Sequence, residues 1–253
     1  MDVIKIPDEK KLVFLSDPHF CHKKLTREVE NHFLMCRDYD TVEEMNSAII
    51  ESIKETCDKN TVLVILGDVI FGYPESKLRE KFYEIFDQIV CDSIIMIFGN
   101  HDHKLYKRLK DESVIFHPYA IIEHKGRTFF CQHHDFNECP VYLKNENALT
   151  RFNNLTLVHG HTHSMFLTTN FGNLIQNCVC YDGPYRPVDE SELYSADSGV
   201  EPHLLIERKQ YYEDIASEQG MGLAQLIEDQ IHHSMTTEEV CRNAQEMYER
   251  FNK

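Results

Sequence analysis

No apolar run in this chain approaches the roughly 20 residues of a membrane-spanning helix. The opening segment, MDVIKIPDEKKLVFLS, lacks the long apolar stretch of a secretory leader, so a cytosolic location is expected. Zinc-type CxxC pairs are missing too. The nine cysteines are scattered, their number is odd, and several, such as Cys131 and Cys180, sit in apolar strand-like runs. They read as small buried thiols rather than a disulfide framework or a structural zinc site. Basic residues are scarce: 26 Lys and Arg stand against 42 Asp and Glu, a formal net charge of −16. No Lys/Arg run with interleaved aromatics offsets that balance, which disfavours binding to long nucleic acid, where affinity is mostly electrostatic. Internal repeats, low-complexity tracts and long linkers are absent. At 253 residues the chain can bury a full core in one domain.

What is present is strand-and-helix alternation. Lys11 to Leu15 (KLVFL) reads as a strand. Thr41-Val42-Glu43-Glu44 is a capping box that opens a helix. Met45, Ile49 and Ile53 then give that helix one apolar face. Thr61 to Leu66 is a continuous apolar run, as expected of a central strand covered on both faces. Glu75 to Ile89 reads as a second helix and Ile94 to Phe98 as another buried strand. In the second half, short strands are predicted at Val114 to Phe116, Ala120 to Glu123, Thr128 to Gln132, Leu155 to Val158 and Leu204 to Ile206, with hairpins between Thr169 and Val188. This pattern predicts an α/β fold. The chain from about Gln210 is polar and helix-prone, with a second capping box at Thr236-Thr237-Glu238-Glu239. The reading is one domain, 1–208, with a helical appendage, 209–253, that packs on the domain or serves as an oligomer contact or lid.

Five short clusters follow the strand-like runs: Ser16-Asp17-Pro18-His19, Gly67-Asp68, Gly99-Asn100-His101-Asp102, His133-His134 and Gly160-His161-Thr162-His163. In open α/β sheets the chemistry lies beyond the carboxyl ends of the strands. Each cluster alone is consistent with an ordinary turn or surface histidine. Together they bring carboxylates, imidazoles and an amide oxygen to strand ends, enough donors for two adjacent metal ions. Imidazole with carboxylate suits Mn, Fe, Zn or Ni better than a hard-ion site. Two ions ~3.5–4 Å apart can hold one bridging hydroxide at neutral pH and stabilise charge on phosphoryl oxygens. Bound divalent ions also reverse the local sign of an acidic protein, so a phosphate ester remains a plausible substrate.

The ordered set resembles the calcineurin-like metallophosphoesterase superfamily, whose pattern runs Asp-x-His, Gly-Asp, Gly-Asn-His-Asp/Glu, a histidine after a strand, then Gly-His-x-His. The text around Ser16 (SDPHFCHKK), Thr41 (TVEEMN) and Asn177 to Gly183 (NCVCYDG) also looks like a bacterial and phage branch of small phosphoesterases. The resemblance spans roughly residues 11 to 190. It implies a four-layer α-β-β-α sandwich of two mixed β-sheets, to which the C-terminal helices would be an extension. It implies that Asp17, His19 and His163 hold one metal, that Asn100, His133 and His161 hold a second, and that Asp68 bridges them. His101 would stand by the leaving-group oxygen, donating to it if protonated, and Asp102 would orient or charge-stabilise an imidazole. His133 is preferred as ligand because it comes first after Phe129-Phe130-Cys131-Gln132; His134 is the alternative. Manganese is the favoured ion, with iron, nickel or zinc as others.

Residues 67–72 read Gly-Asp-Val-Ile-Phe-Gly, with no arginine where many family members carry one. That departure argues against a phosphoprotein phosphatase. His22, Arg37 and Asn100 are candidates for substrate contact, with Asn137 a weaker one; His117 and His232-His233 read as ordinary loop or surface residues. The expected activity is hydrolysis of a phosphodiester, in preference to a monoester, in a small soluble and nucleotide-like molecule. A nuclease on DNA or RNA and a non-catalytic protein scaffold are the competing readings.

Overall fold

Two β-sheets face each other across the apolar core, and the strand order explains how distant clusters meet. The computed structural model describes residues 3–33, 37–109, 114–136, 154–163, 168–171 and 174–195. The strands are β1 (Val3–Lys5), β2 (Lys11–Leu15), β3 (Thr61–Ile65), β4 (Ser93–Ile97), β5 (Phe116–His117), β6 (Ala120–His124), β7 (Arg127–Cys131), β8 (Leu155–His159), β9 (Thr168–Phe171), β10 (Leu174–Cys178) and β11 (Val188–Asp189). The helices are α1 (Val42–Thr56), α2 (Leu78–Phe86) and α3 (His103–Leu109). One sheet runs β11-β2-β3-β4-β5, with β2 to β5 parallel and β11 antiparallel to β2. The other runs β1-β6-β7-β8-β10-β9, with β6–β7 and β9–β10 antiparallel and the other pairs parallel. Both sheets are mixed, as the resemblance implied.

The period-2 geometry of a strand divides β2 and β3 between two layers. Leu12, Phe14, Val62 and Val64 face the second sheet, where they meet Ile122, Phe129, Cys131 and Val158. Val13, Leu15, Leu63 and Ile65 face the helices, where they join Met45, Ile49 and Ile53 of α1 and Leu78, Phe82 and Ile85 of α2. A third cluster, Ile121, Phe130, Phe136, Leu155 and Leu157, belongs to the six-stranded sheet. Its buried members are strand residues and Phe136, so among the described residues no helix contributes to it.

The Thr41 hydroxyl caps α1 by accepting from the Glu44 amide at 3.2 Å. Glu44 reaches back to the amide of Asp40 rather than that of Thr41. The second helix starts later than its periodicity suggested: Glu75–Lys77 form one 3₁₀ turn, and the α-helix runs only over Leu78–Phe86. β1 and α3 carry too few residues for a periodic signal. Cys21, Cys57, Cys131, Cys178 and Cys180 are buried free thiols. Among the described residues no helix is long and apolar enough to cross a membrane. The 209–253 appendage, the strand at Leu204 to Ile206, Asn137 and His232-His233 lie outside the described residues.

Candidate metal centre

Because β2, β3 and β4 are parallel neighbours, the segments after them emerge side by side. β7 and β8 are likewise a parallel pair in the facing sheet. Segments that leave their strands at one edge must turn sharply to bring donors together, and the backbone records it. Asp17, His19, Asp68, His161 and His163 all have positive φ, between 47° and 68°. For residues with a Cβ this region is unfavourable, and such strain concentrates at functional sites.

The Asp17 carboxylate is built with one oxygen committed and the other presented. Its Oδ2 accepts from the His161 amide at 2.8 Å and the Cys180 thiol at 3.2 Å, with the Ser16 hydroxyl 2.5 Å away. Its Oδ1 is buried without a hydrogen bond and faces His163 Nε2 at 3.5 Å and His19 Nε2 at 3.7 Å. The donor atoms of Asp17, His19 and His163 fall within 4.8 Å of one another. His163 Nδ1 lies 2.7 Å from Asp182 Oδ2. A carboxylate can only accept there, so Nδ1 carries the proton and Nε2 turns a lone pair, or a second proton, toward Asp17. Burial disfavours the charged ring, yet the Asp182 carboxylate outweighs it and His163 is raised to about 9.

Asp68 sits between the two halves. Its Oδ1 accepts from the His101 amide at 2.9 Å. Its Oδ2 lies 3.6 Å from His19 Nε2, 3.6 Å from His133 Nε2 and 3.9 Å from His101 Nε2. His133 Nδ1 donates to the Leu66 carbonyl at 2.6 Å, which leaves Nε2 facing Asn100 Oδ1 at 2.8 Å. An imidazole lone pair and an amide oxygen thus meet with no donor between them, beside the Asp68 carboxyl. A cation resolves that arrangement, and the donors match a transition-metal site. A second grouping, His133, His134 and His161, also falls within 4.8 Å. The two buried carboxylates are driven apart: neighbouring imidazoles, His133 foremost, overcome burial and hold Asp17 well below the usual range. Burial and then the Asp17 charge push Asp68 well above it.

Several expected roles change. Arg37 is not exposed to substrate: only 1% accessible, it forks onto Asp182 at 2.9 Å and 2.9 Å and donates to the carbonyls of Pro18 and Asp17 at 2.6 Å each. Its donors are consumed, so it braces the centre from behind. Asp102 orients backbone rather than an imidazole. It accepts from the amides of Asp68, Val69 and Gly99 at 2.8–2.9 Å. Burial and the Asp68 charge push its carboxyl up to about 7. Desolvation pushes His101 down to about 4, which favours the uncharged ring in the metal-free site. His22 is buried, 8% exposed, with its ring 4.2 Å from Phe71. His117 is in β5, part of the five-stranded sheet. Asp182 escaped sequence reasoning. The available signal was its position four residues past β10, the same strand-end placement that marks the other clusters.

Two glycines permit the close approach. A Cβ on Gly99 would overlap Asp68 Oδ1 and the Asp68 amide nitrogen; one on Gly160 would overlap Ser16 Oγ and lie 2.5 Å from Asp17 Oδ2. Overpacking of this kind typically costs about 1–3 kcal/mol. Gly160→Ala is therefore expected to lower the melting temperature and to weaken metal binding. Calorimetric titration of the variant with Mn²⁺ checks this, and wild-type affinity would refute it.

Among known proteins, the chain is 25% identical over 158 residues to the uncharacterized protein MJ1445 of Methanocaldococcus jannaschii, covering 62% of this chain and 72% of that one. A protein of unknown function from Aquifex aeolicus, AQ665, has a crystal structure that aligns with a TM-score of 0.49 at 19% identity, over 72% of this chain and 97% of that one. An archaeal phosphodiesterase aligns with a TM-score of 0.39 at 19% identity, over 66% and 82%. The calcineurin-like phosphoesterase family matches residues 10–165, a segment holding all five Asp, Asn and His clusters, and the chain belongs to that family.

Proposed function

We propose that this protein is a dinuclear-metal-dependent phosphodiesterase acting on a small, nucleotide-like ester. The observation that carries the reading is Asp68 Oδ2, set 3.6 Å from an imidazole of each half of the centre. Asp17, His19 and His163 would hold one ion, Asn100, His133 and His161 the other, and Asp68 both. Divalent ions there, manganese first and iron, nickel or zinc otherwise, would supply Lewis-acid stabilisation of the phosphoryl oxygens and an activated water.

The chain's own groups do the rest. His101, about 40% exposed at its side chain, stands at the mouth with its Nε2 3.9 Å from Asp68 Oδ2 and presents an N–H to a leaving oxygen. Asp102 holds the Asp68 and Gly99 turns in register through three backbone amides. Support for an aromatic leaving group comes from a line of rings that starts at His101. Phe71 lies 4.6 Å from His101, His22 4.2 Å from Phe71, and Phe33 5.4 Å from His22. Phe33 is exposed, and Lys24 Nζ lies 5.7 Å from its ring centroid. A nucleobase can stack on such a surface without sequence-specific hydrogen bonds.

The test is turnover of aryl diesters, cyclic nucleotides, nucleotides and monoesters by the full chain in Mn²⁺, beside the Asn100→Ala variant. Diester hydrolysis that a chelator abolishes is expected. Loss of an outer partner of a metal ligand costs about 10–100-fold, so loss of the Asn100 oxygen should cost at least as much. Hydrolysis that is indifferent to chelator and to Asn100→Ala would overturn the reading.

A further inference from the structure

The family pattern asks for one histidine after β7, and this chain has two. His134 is 6% exposed. Both of its ring nitrogens are buried and neither has a hydrogen-bond partner. Its main chain is pinned, since the Gln132 side chain donates to the His134 carbonyl at 2.8 Å. The nearest carboxylate in sequence, Asp135, is engaged elsewhere, accepting from Gln176 at 2.6 Å. A core histidine ordinarily matches at least one nitrogen, and leaving a buried polar atom unmatched costs about 1–3 kcal/mol. The ring instead lies 4.5 Å from His161 and 5.0 Å from His133, edge-on to each. The donor atoms of the three histidines lie within 4.8 Å of one another.

We propose that His134 is a third imidazole ligand of the second metal position, alongside His133 and His161. This rests on the dinuclear reading above and deepens it. The Asp17 position combines a carboxylate with His19 and His163, whereas the second position becomes rich in imidazole. Imidazole favours borderline ions such as Co²⁺, Ni²⁺ and Zn²⁺ over Mn²⁺. The two positions therefore differ in preference, and His134 sets the difference.

The experiment is titration of the metal-free full-length protein with Co²⁺ alone, followed by calorimetry and by the visible absorption of the bound ion. The wild type is expected to take two ions. His134→Phe should keep one at wild-type affinity and bind the other at least about tenfold more weakly, with an altered visible band. In chelator, His134→Phe should melt no lower than the wild type, because it removes two unmatched polar atoms. His134→Leu, a smaller replacement, repeats both measurements if the larger ring impairs folding. Two ions bound by the variants with wild-type affinity and spectrum would overturn the proposal while leaving the dinuclear centre standing. So would a lower melting temperature in chelator with unchanged binding, which marks a packing role. Failure of the wild type itself to bind two ions would remove the dinuclear reading as well.

Discussion

Asp68→Asn should cut metal-dependent hydrolysis by at least about 10³-fold, since a dinuclear centre of the proposed kind would supply several kcal/mol to the transition state and each 1.36 kcal/mol is tenfold. Asparagine nearly matches aspartate in shape and can still accept from the His101 amide through one oxygen, so the turn after β3 has no reason to move. What it lacks is the negative charge between His19 and His133. Without metal, the effect on stability should have the opposite sign. Burial and the neighbouring Asp17 charge raise the Asp68 carboxyl far above its unfolded value. An acid so raised destabilises the metal-free fold at neutral pH, and does so progressively less as pH falls through its folded value. The variant should therefore melt at or above the wild type in chelator, yet gain nothing from Mn²⁺ where the wild type gains several degrees. Thermal melts of both proteins with chelator and with Mn²⁺, beside initial rates on an aryl diester, check the prediction. Equal losses of stability in both conditions would show that Asp68 serves the fold rather than the ions.

The candidate ligands could be picked out in the sequence because each lies within a few residues of a strand end. β2, β3, β4, β7 and β8 announce themselves as apolar runs, and an Asp, Asn or His follows each within a short turn. Chain topology alone then explains why residues as far apart as Asp17 and His161 meet. The helix capped by Thr41 was legible for a similar reason, since its cap and apolar face are both local patterns.

What stayed hidden is non-local. Asp182 and Arg37 are 145 residues apart, and nothing around either one signals that each is the other's partner. An arginine in a polar connection looks like a solvated cation or a substrate contact. Only the folded chain shows it almost wholly buried, because the carbonyls of Asp17 and Pro18 point backward into the space it fills. The second histidine of the His133-His134 pair posed the same difficulty. Adjacent residues on an extended chain point opposite ways, so sequence suggests a choice between the two. The turn after β7 instead brings both rings to His161. The left-handed residues are equally silent in sequence, since Asp17, His19 and His163 carry no glycine that would mark their φ.

Arg37→Ala is expected to be the most damaging substitution outside the ligands. Breaking a buried ion pair by deleting one partner costs about 3–5 kcal/mol, because the remaining charge is left uncompensated. Here the loss strands Asp182, a carboxylate held well below its ordinary range by the guanidinium and by His163 against the pull of burial. It also leaves the Asp17 and Pro18 carbonyls without their donor. For a fold of this size each kcal/mol shifts the melting temperature by about 2–4 °C, so a fall of roughly 6–20 °C should follow. Arg37→Lys should recover little, since a single ammonium cannot fork onto Asp182 and reach two carbonyls at once. Replacing both partners, Arg37→Met with Asp182→Leu, should cost the fold less than Arg37→Ala alone, because no buried charge is orphaned. The double variant should nevertheless bind metal more weakly. Asp182 fixes the Nδ1 proton of His163 and so aims Nε2 at Asp17. Loss of such an orienting carboxylate should weaken the first metal position by about 10–100-fold. Thermal melts and Mn²⁺ titrations on the three variants separate these effects: stability follows the orphaned charge, and affinity follows the aim of His163. A double variant that binds metal as the wild type does would show that His163 needs no brace.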